Sequence, residues 1–223
     1  MSLQITLDFL QQLSENNNKA WFDDHRKQYK EARDAFEDCL VHVIAGFGVV
    51  DSLPPLEPKD VMHRINRDIR FSKDKSPYNT KMSAILGPDG RKSEYGFYYI
   101  RIEPNGESIV SSGLKSPSSS QLQVFREAID EDATPLREII ESVSFRATFG
   151  EVYGTQVKSA PRGFAKDHPE IDLLRFKEMM ASRSFSDDEV AGDDFIEQVL
   201  DTCAALKPFR MHFDNLFGLR ISS

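Results

Sequence analysis

The sequence predicts a single α+β domain over residues 1–223, with an antiparallel sheet (a meander) packed against a long N-terminal helix and additional helices. Three observations lead there. Apolar residues recur at helical spacing near both ends of the chain, whereas a period of two governs residues 81–112. Helices and strands come in runs rather than in alternation, which argues for α+β over a βαβ architecture. No repeat, low-complexity tract or linker divides the 223 residues, a length that suits one large domain.

The elements follow in order. Thr6 is placed to cap a short helix carrying Leu7, Leu10 and Leu13, and Glu15-Asn16-Asn17-Asn18 ends it and caps the next. From Lys19 onward, apolar side chains recur at Phe22, Tyr29, Ala32, Phe36, Leu40, Val43 and Phe47, opposite charges such as Asp23, Lys27, Glu31 and Asp34. That stripe predicts one long amphipathic helix lying across a sheet. Residues 51–58 form a proline-punctuated loop. Residues 81–86 and 95–103 read as strands around a Gly87-Pro88-Asp89-Gly90 turn, and Pro104-Asn105-Gly106 signals a hairpin into residues 108–112. Helical spacing returns at Leu122, Phe125 and Ile129 and again at Leu136, Ile139, Ile140 and Val143. Residues 145–154 and 156–160 suggest a further hairpin. Asp167-His168-Pro169-Glu170 reads as a helix start, Ser186-Asp187-Asp188-Glu189 as a capping box, and a last helix runs through Phe195, Val199, Leu200, Cys203 and Leu206. Residues 184–201 carry seven acids and no Lys or Arg, the pattern of a solvated helix face or, alternatively, of contact with a basic partner.

Composition narrows the function classes. Hydrophobic residues make up 39% of the chain, enough for a sizeable core, so disorder for lack of apolar surface is excluded. A net charge of -8 argues against a general nucleic-acid coat, whose affinity rests on neutralising phosphates. Cys39 and Cys203 form no Cys-x-x-Cys pair and read as small buried hydrophobes. The N-terminus shows no signal peptide, and the most apolar stretch, residues 41–50, is about half the length needed to span a bilayer. These features predict a cytoplasmic protein with no membrane partner. No His/Asp/Glu set has metal-ligand spacing and no glycine-rich phosphate loop occurs, so neither a metal nor a cofactor is implied.

One segment concentrates charge. Residues 64–81 hold Arg64, Arg67, Arg70, Lys73, Lys75 and Lys81 against Asp68 and Asp74, a local +4 that leaves -12 for the rest of the chain. Such an excess focuses positive potential on a small patch. If residues 64–71 are a strand, Arg64, Asn66, Asp68 and Arg70 share one face, and Ile65, Arg67, Ile69 and Phe71 the other. On that reading Arg64 and Arg70 grip a phosphate or carboxylate, Asn66 adds a polar contact and Asp68 orients an arginine. Arg67, on the apolar side, then needs a carboxylate partner, while Lys75 and Tyr78 close the site from the following loop. The competing reading is a cross-strand ladder of salt bridges beside a solvated loop. Were the protein an enzyme, Asp68, Tyr78 and His168 would be the proton-transfer candidates, His168 beside Asp167. His25, on the long helix, is better explained by packing, and His42, His63 and His212 stand isolated. Lys158 and Arg162 form a second basic cluster that either extends the first or marks a turn. The leading expectation is an anionic small molecule as ligand. The alternative is a non-enzymatic module meeting an acidic protein or a nucleic acid.

The chain resembles domain-of-unknown-function family 2461, a set of conserved hypothetical proteins of about this length. The resemblance rests on Phe9-Leu10, Asn17-Asn18-Lys19, Trp21-Phe22, His25-Arg26 and Tyr29, and on the signature Arg64-x-x-Arg67-Asp68-x-Arg70-Phe71-x-x-x-Lys75-x-x-Tyr78. It continues at Tyr98-Tyr99, Gly113, Pro161-Arg162-Gly163-Phe164, Asp167-His168-Pro169 and Leu206-Lys207-Pro208. After Lys177, where the family often has an apolar start, this chain has Glu178-Met179-Met180, which speaks against a strand there. The resemblance implies no known activity; it points to the same central segment and names no reaction.

Overall fold

A computed structural model describes residues 2–93 and 96–218. Its N-terminal layer consists of α1 (Gln4–Glu15), α2 (Lys19–Asp24) and α3 (Arg26–Val50), and a single turn, α4 (Pro58–Val61), follows before the sheet. Thr6 is not a cap. Helix α1 begins after Leu3, and the buried Thr6 hydroxyl donates to the Ala32 carbonyl at 2.9 Å, tying α1 to α3. Asn18 does cap the next helix, accepting from the Trp21 N–H. The continuous helix expected from Lys19 is split at His25, whose backbone leaves helical geometry and whose N–H is shared between the Trp21 and Phe22 carbonyls. The imidazole Nδ1 also meets the Trp21 carbonyl at 2.7 Å, and its ring stacks on Trp21 at 4.0 Å, so local bonds fix the bend.

Four antiparallel strands form one sheet in the order β1 (Met82–Leu86), β2 (Tyr98–Ile102), β3 (Ser108–Leu114), β4 (Met179–Phe185). The register pairs Ala84 with Ile100, Ile100 with Val110, and Val110 with Arg183. Two boundaries are tighter than the alternation suggested: Lys81 and Glu103 lie outside β1 and β2, and Tyr95, expected to start the second strand, lies outside the described residues. Asn105 and Gly106 both take positive φ in the hairpin, and the carboxylate of Asp187 accepts both their N–H groups at 2.9 and 3.0 Å. Strand β4 forms despite the Glu178-Met179-Met180 start, because Met179 and Ala181 turn inward and Glu178 stays outside it.

Between β3 and β4 run α5 (Ser119–Glu131), α6 (Thr134–Ile140), α7 (Val143–Phe149) and the four-residue α8 (Ile171–Leu174). Helix α7 replaces the expected second hairpin. Ser142 caps it and Phe145 and Phe149, one turn apart, are both buried, so the helical period wins over the alternating one. Beyond it only isolated bridges occur, Tyr153 to Met180 and Gln156 to Phe176. Pro169 precedes α8 instead of sitting in its first turn. The capping box at Ser186 and Glu189 opens α9 (Asp187–Ala191), as expected. The last helix, α10 (Phe195–Leu216), lies against β3 and α3, and α3 meets the sheet through its last turns, where Phe47 packs edge-on to Tyr98 at 5.1 Å. Among the described residues no helix is long and apolar enough to cross a membrane.

Alternation along β2 is what positions the site. Tyr98, Ile100 and Ile102 turn into the core, whereas Tyr99 and Arg101 face the other side and stay half-exposed.

Candidate functional site

Residues 62–81 run along the open edge of β1. Met62 bridges Ala84 and the His63 N–H donates to the Ser83 carbonyl at 2.8 Å. The chain then leaves and returns: Arg67 N–H bonds to Pro77 O, Asn79 N–H bonds to Ile65 O, and Asn66 bridges Tyr78. The amide of Asn17 pairs with both backbone groups of Tyr78, at 2.9 and 3.1 Å, and the Tyr78 ring stacks on Phe22 at 3.9 Å. The cationic segment is thereby pinned to the helical layer.

It is not the strand considered from the sequence. The carboxylate of Asp68 accepts the Arg70 N–H and that of Asp74 the Ser76 N–H, so short acidic side chains take the donors a ladder would need. Part of the expected facing persists: Ile65 is buried and Arg67 half-buried, while Phe71, assigned to the apolar side, is 95% exposed. Arg67 has the carboxylate partner its position demanded. It is ion-paired to Asp74 and donates to the Ser76 carbonyl at 3.1 Å. The Ser76 hydrogen bonds, with this guanidinium behind them, hold the Asp74 carboxyl far below the usual carboxylate range.

The proposed grip separates into two groups. Arg64, Asn66, Arg67 and Asp68 line a common cavity of about 600 Å³. Arg70, Lys75 and Tyr78 do not. Arg70 is clamped by Asp68 through two parallel bonds of 2.9 and 2.6 Å, Lys75 donates to the Ile69 carbonyl at 3.0 Å, and Tyr78 is buried under Phe22. Asp68 does orient an arginine, but one that is not part of the cavity lining.

Residues remote in sequence complete that lining. Lys81 precedes β1, Ser83 and Tyr99 lie on β1 and β2, Arg91 sits in a 3-10 turn (Gly90–Lys92), and Lys115 follows β3. The cavity thus gathers five cations, Arg64, Arg67, Lys81, Arg91 and Lys115, around a single carboxylate, Asp68. Among the described residues, Arg64, Lys81, Arg91 and Lys115 have no carboxylate within ion-pair distance. Arg101, on the same face of β2 as Tyr99, shows the usual alternative, with Glu103 at 3.2 Å and Glu107 at 3.6 Å. His63 registers the unbalanced field. Burial first, and then the charges of Lys115, Arg91 and Lys81, push its imidazole below the ordinary value.

The remaining candidates fall elsewhere. His168 is not poised by Asp167: its Nε2 bonds to Asp130 at 2.9 Å and its Nδ1 accepts the Glu170 N–H at 3.0 Å, fixing the start of α8. Asp68, Tyr78 and His168 therefore do not converge. Lys158 and Arg162 do not line the cavity. Both cysteines are free and buried, with the Cys39 thiol pushed up to about 12 by burial. No cluster of three or more His, Cys, Asp or Glu suited to a metal occurs among the described residues.

The sequence model of a family described as conserved hypothetical protein (DUF2461) matches residues 5–212, nearly the whole chain, and the chain belongs to that family. No curated protein and no solved structure matches it.

Proposed function

We propose that this member of the conserved hypothetical proteins binds a small anion, phosphorylated or carboxylated, in the cavity between residues 63–68 and the side of β1 and β2 that carries Ser83 and Tyr99. The observation that carries this reading is the charge of the lining: five cations against one carboxylate, in a chain of net -8. Gathering like charges, four of the five without an ion-pair partner among the described residues, costs free energy in the empty protein, and an anion offsets that cost on binding. Arg64 and Lys115 reach the ligand with no ion pair to break, Lys115 standing beside the Tyr99 ring and within the field of Glu178; Arg91 is steadied by donating to the Lys59 carbonyl at 2.6 Å, and Asn66, Asn79, Ser83 and Tyr99 supply neutral polar contacts. The cavity is wide open to solvent, so the small-anion reading rests on the charge of its lining, and the experiment below separates it from contact with an acidic protein or a nucleic-acid strand.

The test is calorimetric titration with sulfate, phosphate and a dicarboxylate at low ionic strength. At least one should bind, and Arg64→Gln or Lys115→Gln should weaken it by about tenfold, the loss of one charge-assisted contact. Unfolding midpoints of these variants should move little, since neither side chain has an ion-pair partner to lose. Absence of binding by all three anions sinks the proposal. Binding of an oligonucleotide with a steep salt dependence, unaffected by these anions, would favour the interaction module instead.

A further inference from the structure

A second concavity adjoins the cationic one. A groove of about 480 Å³ shares Tyr99 and Lys115 with it and runs on across the side of the sheet away from the core, between Ile109 and Met180 on the strands and Tyr153 on the segment that pairs along the edge of β4. Its character is different. Phe97, Ile109, Met180 and two tyrosines form its walls, with the hydroxyls of Ser111 and Thr155 at the edge. Its one carboxylate, Glu178, already accepts from the Thr155 hydroxyl at 2.7 Å and from the N–H and hydroxyl of Ser116, each at 3.0 Å; these bonds, Thr155 first, hold its carboxyl below the ordinary range.

The wall is built rather than incidental. Tyr153 pairs with Met180 by reciprocal backbone bonds of 2.9 and 2.7 Å, which leave its side chain 46% exposed. Gly154 follows at φ 150°, where a Cβ would overlap the Glu178 carbonyl, so the segment presses against the sheet as only glycine permits. At the junction Lys115 Nζ stands 5.5 Å from the Tyr99 ring centroid, placing a cation beside an aromatic face at the mouth of both spaces.

We infer that the ligand is a phosphate monoester of an aromatic group, its phosphate among Arg64, Arg91 and Lys115 and its ring in the groove between Tyr99 and Tyr153. This rests on the anion-binding reading and deepens it. Charge selects one end of the ligand, and contiguous aromatic surface selects the other.

Titration at pH 8 with inorganic phosphate, glycerol phosphate and phenyl phosphate, all chiefly dianions there, separates the two readings. Phenyl phosphate should bind at least about tenfold tighter than glycerol phosphate. Tyr153→Ala, whose backbone pairing does not use the ring, and Ile109→Thr should each shrink that ratio towards one while leaving affinity for inorganic phosphate unchanged. Equal affinity for the two esters, with inorganic phosphate still bound, overturns this inference and leaves the anion site standing. A ring preference that survives both substitutions also overturns the placement. Failure of all three phosphates to bind overturns this inference, and the anion site then stands or falls with sulfate and the dicarboxylate.

Discussion

Tyr98 and Tyr99 are neighbours on β2 and face two electrostatic environments built on opposite principles. The Tyr98 hydroxyl donates to Asp51 at 2.8 Å, and Arg210 bridges Asp51 and Asp214 at 2.8 and 2.7 Å, all deep in the core between α3, α10 and the sheet. There each charge meets its opposite, because an unpaired ion out of water is too costly. Tyr99 looks onto a cavity where five cations meet one carboxylate, Asp68. Solvent makes that tolerable, and on the reading proposed above an anion would balance it. The difference teaches that charge density alone is a poor guide to a site; the ratio of cations to carboxylates around a shared space is the feature the predictions below put to the test.

Removing Arg210 should show the largest effect. Arg210→Met leaves Asp214 buried without its cation and Asp51 with only Lys207 at 3.5 Å, and breaking a buried pair in this way costs about 3–5 kcal/mol. Urea unfolding should record that loss at pH 8. Burial already pushes the Asp214 carboxyl up to about 6, with Asp51 adding to the rise against the pull of Arg210. A folded-state pKa raised above the ordinary 3.8 means that the folded protein holds the proton more tightly than the unfolded chain. This group's contribution is therefore present at low pH and lost as pH rises through about 6. The cost of Arg210→Met should accordingly shrink between pH 8 and pH 5. A loss under about 1 kcal/mol at pH 8 would mean the buried cluster is not held by charge matching.

How much of this was legible in the sequence follows the same division. Helix α1, the Asn18 cap, the hairpin at Asn105-Gly106 and the box at Ser186 rest on local backbone chemistry, and local chemistry is written in consecutive residues. The last helix was visible only to Leu206. Phe209, Arg210, Phe213 and Asp214 lie beyond Pro208, which sits inside α10 where a proline normally argues for an end. Half of the candidate site was legible because Arg64, Asn66, Arg67 and Asp68 are neighbours in the chain. Lys115, Arg91 and Tyr99 come from three other stretches, and only the β1–β2–β3 register brings them to one space. His63 adjoined the segment but looked isolated, since no spacing rule links it to Lys115.

A smaller effect should come from His63, which reports whether the cavity behaves as an unbalanced field. Lys81, Arg91 and Lys115 surround it, with Arg64, Arg67, Asp68 and Tyr99 also on the lining. Asp68, held low by Arg70, stays ionised near neutrality and does not confuse the titration. A bound dianion offsets the cations and raises the imidazole's pKa, so proton and anion bind cooperatively. Sulfate keeps its charge over this range. Its affinity should rise on the order of threefold or more as pH falls from 7.5 to 5.5, and His63→Gln should flatten that slope. A wild-type affinity independent of pH would place His63 outside the field of the bound ion.

The smallest expected effect is the most pointed, because it separates the cavity from the arginine row that suggested it. Arg70 belongs to the same run of charge as Arg64, yet its guanidinium is already held by both oxygens of Asp68, on a loop in solvent. Exposed pairs of this kind contribute little to stability, within about 1 kcal/mol. Arg70→Gln should therefore leave the unfolding midpoint nearly unchanged. Anion affinity should change by less than about twofold, against the tenfold loss expected for Arg64→Gln. Freed of its partner, Asp68 would if anything bring a bare carboxylate to the cavity edge, so a slight weakening fits. Equal losses from the two substitutions would return the grip to the row of consecutive arginines and take it away from the assembled cavity.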